Sequence, residues 1–251
     1  MHESFFFGPD ERQLFASYHP PANAGGQILT VLCPPIFTEY NRTHSILRKL
    51  ALSLAEQSHH VIRFDYSGTG DSFGTLENSS VNDWTEDIRR AVQEGVELTG
   101  CSRVRILGVR MGALLACASV GGRSDVDRLV LWDPVSDGRE YQRSLLRRLQ
   151  AKLRHNHFMS RADRRESKLS YSAYKLSDSL RDGIASLDAS VCQTMPKDKI
   201  RIVRTSTAIN FPVPELPQVL APTDCQWDTE IESVIMSQPL LESLVSQLIE
   251  P

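Results

Sequence analysis

No stretch of the 251 residues approaches the ~18 consecutive apolar residues of a membrane-spanning helix, so no such span is expected. Charge of one sign is also missing. Lys and Arg total 28 against 31 Asp and Glu, a formal net charge of −3, which leaves no basic excess for a general nucleic-acid binder. The start, MHESFFFGPDERQ, lacks a basic segment and an apolar run of useful length, and is not expected to be a secretory signal. Cys33, Cys101, Cys117, Cys192 and Cys225 are odd in number and have no metal-like spacing, and no His, Cys and carboxylate residues cluster at ligand spacing. The expectation is therefore reduced thiols in a cytoplasmic protein that needs neither metal nor other cofactor. Internal repeats and low-complexity segments are absent. With 41% hydrophobic and 24% charged residues, disorder over most of the chain is excluded, and a single α/β domain over 1–251 is expected.

What is present is an alternation of short apolar runs and amphipathic stretches. Residues 4–18 read as two short strands around the turn GPDE. QILTVLC (27–33), HVIRFD (60–65), RVRILG (103–108) and RLVLWD (128–133) are apolar enough to be strands buried on both faces. Between them, 41–57 and 111–120 read as helices, and Ser80 with Asp83 forms a capping box ahead of Trp84, Ile88, Ala91, Val92 and Val96 on one helical face. Strand, helix and short loop in alternation predict a mostly parallel sheet with helices on both faces. Strand character returns at KIRIVRT (199–205), and a last helix fits 238–249. Residues 139–168 carry ten basic and three acidic side chains. They predict a helical lid, inserted over about 136–195, with Leu145, Leu146, Leu149 and Leu153 facing the body. Its charge can guide an anionic substrate, such as an acyl-phosphopantetheine or an acidic glycan precursor, or serve only as a solvated face.

The most informative stretch is the strand RVRIL, then Gly108-Val109-Arg110-Met111-Gly112, then a helix of small residues. A turn this tight between strand and helix needs small residues two before and two after its apex, and Gly108 and Gly112 supply them. In α/β-hydrolases this place holds G-x-S-x-G, the nucleophile elbow. Together with VLCPPIFTEYNRTH, VIRFDYSGTGDSFG, Asp83-Trp84 and LVLWDPVSDGREY, it makes residues 27–142 resemble an α/β-hydrolase of the serine aminopeptidase-like group. More narrowly, they are similar to hydrolase-like proteins associated with the exosortase A system, which points toward a biosynthetic role. The resemblance implies an eight-stranded, mostly parallel sheet with a lid after the sixth strand. It also implies departures from the family. The nucleophile position holds Arg110, the base position after the last strand reads DCQWDTEI (224–231) with no His after His157 in the chain, and the segment after the seventh strand, RTSTAINFP, holds no carboxylate. Asp133, after the sixth strand, is an alternative acid position.

These departures predict that Ser-His-Asp chemistry is missing. A guanidinium at a helix N-terminus opposes the helix dipole and needs a counter-charge. The candidates are internal, Glu39, Asp65 or Asp133, or else an anionic ligand held by Arg110 with the N–H groups of Ile36 and Met111, which map to the oxyanion hole. Asn41 and Arg42 either line the pocket mouth or cap the first helix. Cys33 is a substitute nucleophile or a buried small hydrophobe, His44 a pocket or surface residue, and His59 and His60 are expected to be exposed. SGTGDSFG lacks the Lys of a phosphate-binding loop. The expected function is non-hydrolytic binding of an acyl, carboxylate or phosphate ligand, or of a protein partner. The alternative is a hydrolase or acyl transferase working around Arg110, Asp133 and Glu39.

Overall fold

The computed structural model describes residues 2–23, 25–155, 175–206, 211–213, 215–227 and 233–250, side chains 149–155 and 194 excepted. The strands are β1 (Glu3–Phe7), β2 (Leu14–His19), β3 (Ile28–Cys33), β4 (His59–Phe64), β5 (Arg103–Val109), β6 (Val126–Trp132), β7 (Ile200–Arg204) and β8 (Gln218–Leu220). The helices are α1 (Thr38–Glu56), α2 (Val81–Thr99), α3 (Met111–Val120), α4 (Gly138–His155), α5 (Asp178–Ser186) and α6 (Gln238–Ile249). All eight strands form one sheet in the order β1-β2-β4-β3-β5-β6-β7-β8. β1 and β2 form an antiparallel hairpin, β2 joins β4 antiparallel, and the rest of the sheet is parallel.

The apolar strand runs follow from burial on both faces. Along β6, Leu129 and Leu131 enter one core layer with Trp84 and Ile88 of α2 and Leu114 and Leu115 of α3. Val130 and Trp132 enter the other, with Ile46 and Leu50 of α1 and Leu240 and Leu244 of α6. A period-2 alternation whose two phases are both apolar reads as a continuous run. α2 starts as its sequence predicts: Ser80 Oγ accepts from the Asp83 N–H while the Asp83 carboxylate accepts from the Ser80 N–H. α1 begins at Thr38, three residues before the expected position, after a Phe37 whose side chain supplies no cap.

His59 and His60 are not the exposed pair their position suggested. His59 is 3% exposed, its Nδ1 2.8 Å from Thr30 Oγ1 on the neighbouring strand. His60 is half-buried, with Nδ1 2.7 Å from the Tyr18 hydroxyl. Burial, with Arg105 nearby, pushes His59 down to about 4, and burial with Arg63 alongside does the same to His19. The folded chain then binds fewer protons than the unfolded chain between the ordinary histidine value and about 4. Stability contributed by these two residues is present above pH ~6.5 and is lost as pH falls toward their folded values. Urea unfolding at pH 7 and pH 4.5 should show a loss of about 2–3 kcal/mol per histidine at most, reduced in a His59→Gln variant. Equal stability at the two pH values would contradict this.

Candidate functional site

The β5–α3 turn has the tight geometry its glycines imply. A Cβ on Gly108 would lie 2.5 Å from the Ala113 Cα, and one on Gly112 would lie 2.3 Å from the Pro34 carbonyl oxygen. Backbone stands in the way at both, so neither position admits a side chain. The apex is Arg110, at φ 55° and ψ −120°, a strained conformation for a residue with a Cβ. Its N–H donates to the Trp132 carbonyl at 3.0 Å, and its carbonyl accepts from Ala113 at 3.1 Å. Ile36 lies in the 34–37 loop whose backbone meets Gly112, and Met111 opens α3, so both expected oxyanion-hole residues reach this corner. Both are buried.

The Arg110 side chain is enclosed and paired inside the protein. Its Nε lies 3.5 Å from Glu39 Oε1, and Nη1 donates to the Asp133 carbonyl oxygen at 3.0 Å. Its guanidinium carbon sits 4.8 Å from the centroid of the Trp227 ring and 6.0 Å from that of Tyr141, within cation–π range. Of the three internal counter-charges considered, Glu39 is the one in contact. Asp65 is taken up elsewhere, by the Tyr40 hydroxyl at 2.6 Å and the Asp71 N–H at 3.1 Å. Asp133 offers Arg110 its backbone and keeps its carboxylate for other donors.

Glu39, in the first turn of α1, is fully buried. Its Oε1 accepts from Arg148 Nη2 at 3.1 Å and its Oε2 from the Tyr141 hydroxyl at 3.0 Å. Tyr141 and Arg148 are seven residues apart, two turns on one face of α4. Arg148 also donates through Nη1 to the Trp227 carbonyl at 2.5 Å. α4 thus crosses the carboxyl edge of the sheet and is tied down over Arg110. Burial, then the Glu39 charge, pushes the Tyr141 phenol well above the usual tyrosine range, so it stays a donor. Leu145 packs against the core from the same helix, as expected, whereas the Leu149 and Leu153 side chains and residues 156–174 lie outside the described part of the expected lid.

Asp133 is also fully buried, at φ 43°. Its Oδ1 accepts from the Thr205 N–H at 2.8 Å. Its Oδ2 accepts from the Thr205 hydroxyl at 2.5 Å, Trp227 Nε1 at 2.7 Å and Trp132 Nε1 at 3.1 Å. Burial raises its pKa, and the Thr205 and Trp227 hydrogen bonds and Arg110 oppose that.

Trp227 is the residue the sequence reading missed. It is 4% exposed, donates to Asp133, covers Arg110 and packs on Trp132 at 5.8 Å between centroids. The available signal was its place in DCQWDTEI, the segment searched only for a histidine. Arg42 belongs here as well. It is buried, its guanidinium carbon lies 5.4 Å from the Trp227 centroid, and it donates to the carbonyls of Cys225 at 2.7 Å, Ser233 at 3.2 Å and Gln226 at 3.3 Å. Asn41, expected at the pocket mouth or as a cap, does neither. α1 is already under way there, and a residue two places beyond Glu39 turns away from it, leaving Asn41 exposed. Cys33 is a buried thiol pushed up by burial, which does not suit a nucleophile. His44 is exposed on α1.

Among the described residues no group of His, Cys, Asp and Glu is arranged to hold a metal, and no helix is long and apolar enough to cross a membrane. No curated protein matches the sequence. Solved structures do. A hypothetical protein of Pseudomonas aeruginosa, PA2218, superposes with a TM-score of 0.58 at 16% identity, over 81% of this chain and 77% of that one. An N-formylmaleamic acid deformylase of Pseudomonas putida gives 0.56 at 18% identity, over 88% and 93%. XC6422 of Xanthomonas campestris, described as an α/β serine hydrolase without a lid, gives 0.55 at 12% identity, over 98% and 91%. The family model for serine aminopeptidase, S33, matches residues 37–209, which contain the elbow, Glu39, Asp133 and α4. With that model covering more than half of it and with this strand order, the chain takes the α/β-hydrolase fold and belongs to the serine aminopeptidase, S33, family.

Proposed function

We propose that this family member does not hydrolyse through a Ser-His-Asp triad and acts by binding. Arg110 occupies the place of the nucleophile, Trp227 the place of the base, and Asp133 the place of the acid. The observation that carries this reading is the position of Trp227: its indole N–H donates to Asp133 at 2.7 Å while its ring face covers the Arg110 guanidinium at 4.8 Å. A triad histidine would donate to the acid in the same way and accept a proton from the nucleophile. An indole N–H only donates, and a guanidinium stays protonated, so no proton can move along this line. The contacts are those of a triad and the chemistry is that of a core.

The alternative, a hydrolase or acyl transferase with Arg110 as clamp and Asp133 or Glu39 moving the proton, has little support in these contacts. Both carboxylates are already engaged by several donors. The occupant of the site is then an acyl, carboxylate or phosphate ligand or a protein partner, with α4 as its cover. The narrower resemblance to exosortase A-associated proteins supports a biosynthetic setting. Purified protein treated with a fluorophosphonate and assayed on p-nitrophenyl acetate and butyrate should show no covalent adduct by intact mass. Its ester hydrolysis should stay at background, unchanged by Arg110→Ala. A stoichiometric adduct, or an ester rate abolished by Arg110→Ala, would overturn the reading.

A further inference from the structure

Glu39 sits where this fold presents its ligands, at the carboxyl edge of the parallel strands, and the groups around it would recognise any carboxylate. Two guanidiniums converge on Oε1, with Arg148 Nη2 at 3.1 Å and Arg110 Nε at 3.5 Å, and a phenol donates to Oε2 at 3.0 Å. Glu39 fills this cradle with one long contact among three. The Arg110 contact is longer than the ~2.7–2.9 Å of a good charge-assisted bond. The buried Nε of Arg148 has no hydrogen-bond partner among the described residues. Trp227 and Tyr141 lie against the Arg110 guanidinium, and donors directed at both oxygens of one carboxylate suit a planar, two-oxygen anion. Exchanging one carboxylate for another also conserves the charge of the buried cluster, which a neutral or dianionic ligand would not.

We propose that Arg110, Arg148 and Tyr141 form a carboxylate-binding site that Glu39 fills in this structure, and that its ligand is a small organic acid whose carboxylate takes the place of Glu39. The inference rests on the reading that Arg110 binds rather than supports hydrolysis. Two of the three donors belong to α4, so the exchange loosens α4 from α1 and gives the acid its way in. Glu39 competes as a tethered carboxylate at an effective concentration of about millimolar or more, so removing it should sharpen binding of a free acid.

The test is thermal unfolding of wild type and Glu39→Ala in sodium formate, acetate, propionate and chloride at equal ionic strength. Glu39→Ala should melt below wild type. Formate or acetate should restore the loss saturably, with little effect on wild type, and chloride should not. Glu39→Ala combined with Arg148→Met should lose the rescue. No rescue by any carboxylate, equal rescue by chloride, or equal rescue without Arg148 would overturn the proposal. Should Glu39→Ala not fold, Glu39→Gln keeps the side-chain shape, and tryptophan fluorescence should report acetate at least about tenfold more tightly than in wild type. Equal acetate responses in the two proteins would overturn it. Covalent labelling of wild type by the fluorophosphonate would sink the non-hydrolytic reading. Failed rescue without labelling would sink only the carboxylate site.

Discussion

Replacing Trp227 by alanine should cost about 3–5 kcal/mol, the range for truncating a buried tryptophan. At this chain length that corresponds to a fall in Tm of roughly 6–20 °C. The size of the effect follows from how many layers meet on one ring. Trp227 covers Arg110 and Arg42, packs on Trp132 and supplies one of the donors to Asp133. Its truncation would open a void between the β8–α6 connection and the elbow, and would expose two guanidiniums to it. Trp227→Phe separates the contributions, because a phenyl ring keeps most of the packing and removes only the N–H. Its cost should be about 1–3 kcal/mol, that of a buried acceptor losing a donor. Denaturant unfolding of both variants checks the pair. Should Trp227→Ala remain within about 1 kcal/mol of wild type, the ring is not a packing element and the proposed replacement of a base by a structural residue fails.

Much of the architecture could be read from local signals, and the reasons differ from element to element. β3, β5 and β6 announced themselves because both of their faces are buried, which turns alternation into a continuous apolar run. α2 carried its own start signal in Ser80 and Asp83. The elbow was legible because Gly108 and Gly112 are demanded by backbone close at hand. β8 gave no signal of its own, since Gln218–Leu220 is only three residues long, and only the family resemblance implied an eighth strand beside the legible β7.

The site was half legible. Glu39 was one of three internal partners offered for Arg110, on charge and on the convergence of loops at one edge of the sheet, and only the packing selects it. Asn41 and Arg42 could not be told apart because the phase of a helix depends on where it starts, and α1 starts at Thr38 without a side-chain cap to mark it. His59 looked exposed because its partner, Thr30, comes from a neighbouring strand far away in sequence. Arg148 was hidden among many basic neighbours. Only its spacing of seven from Tyr141 distinguishes it from Arg147, which is exposed and pairs with Glu140 at 2.8 Å. Trp227 was overlooked for a different reason. The segment was searched only for a histidine, and the tryptophan in it, whose indole donates to Asp133, was passed over.

That contact leads to the second large effect. Asp133→Ala should destabilise the protein by about 3–6 kcal/mol, several donors losing their acceptor at once at a cost of about 1–3 kcal/mol each, with partial relaxation. The donors are the backbone N–H and hydroxyl of Thr205 and the indoles of Trp132 and Trp227, which join β6, the end of β7 and the segment after β8. Asp133→Asn keeps the shape and one acceptor oxygen but turns an amide N–H₂ toward donors, so it should fall between wild type and Asp133→Ala. This ordering discriminates between the two readings of the residue. A general base is held in a strained, incompletely satisfied setting, and its removal is often neutral or stabilising. A structural acceptor saturated by four donors gives the opposite sign. Equilibrium unfolding of Asp133→Ala therefore bears on function as well as on stability. A large loss identifies Asp133 as the post around which the Arg110 and Trp227 corner is built, whereas an unchanged or raised stability would return it to the list of groups able to move a proton.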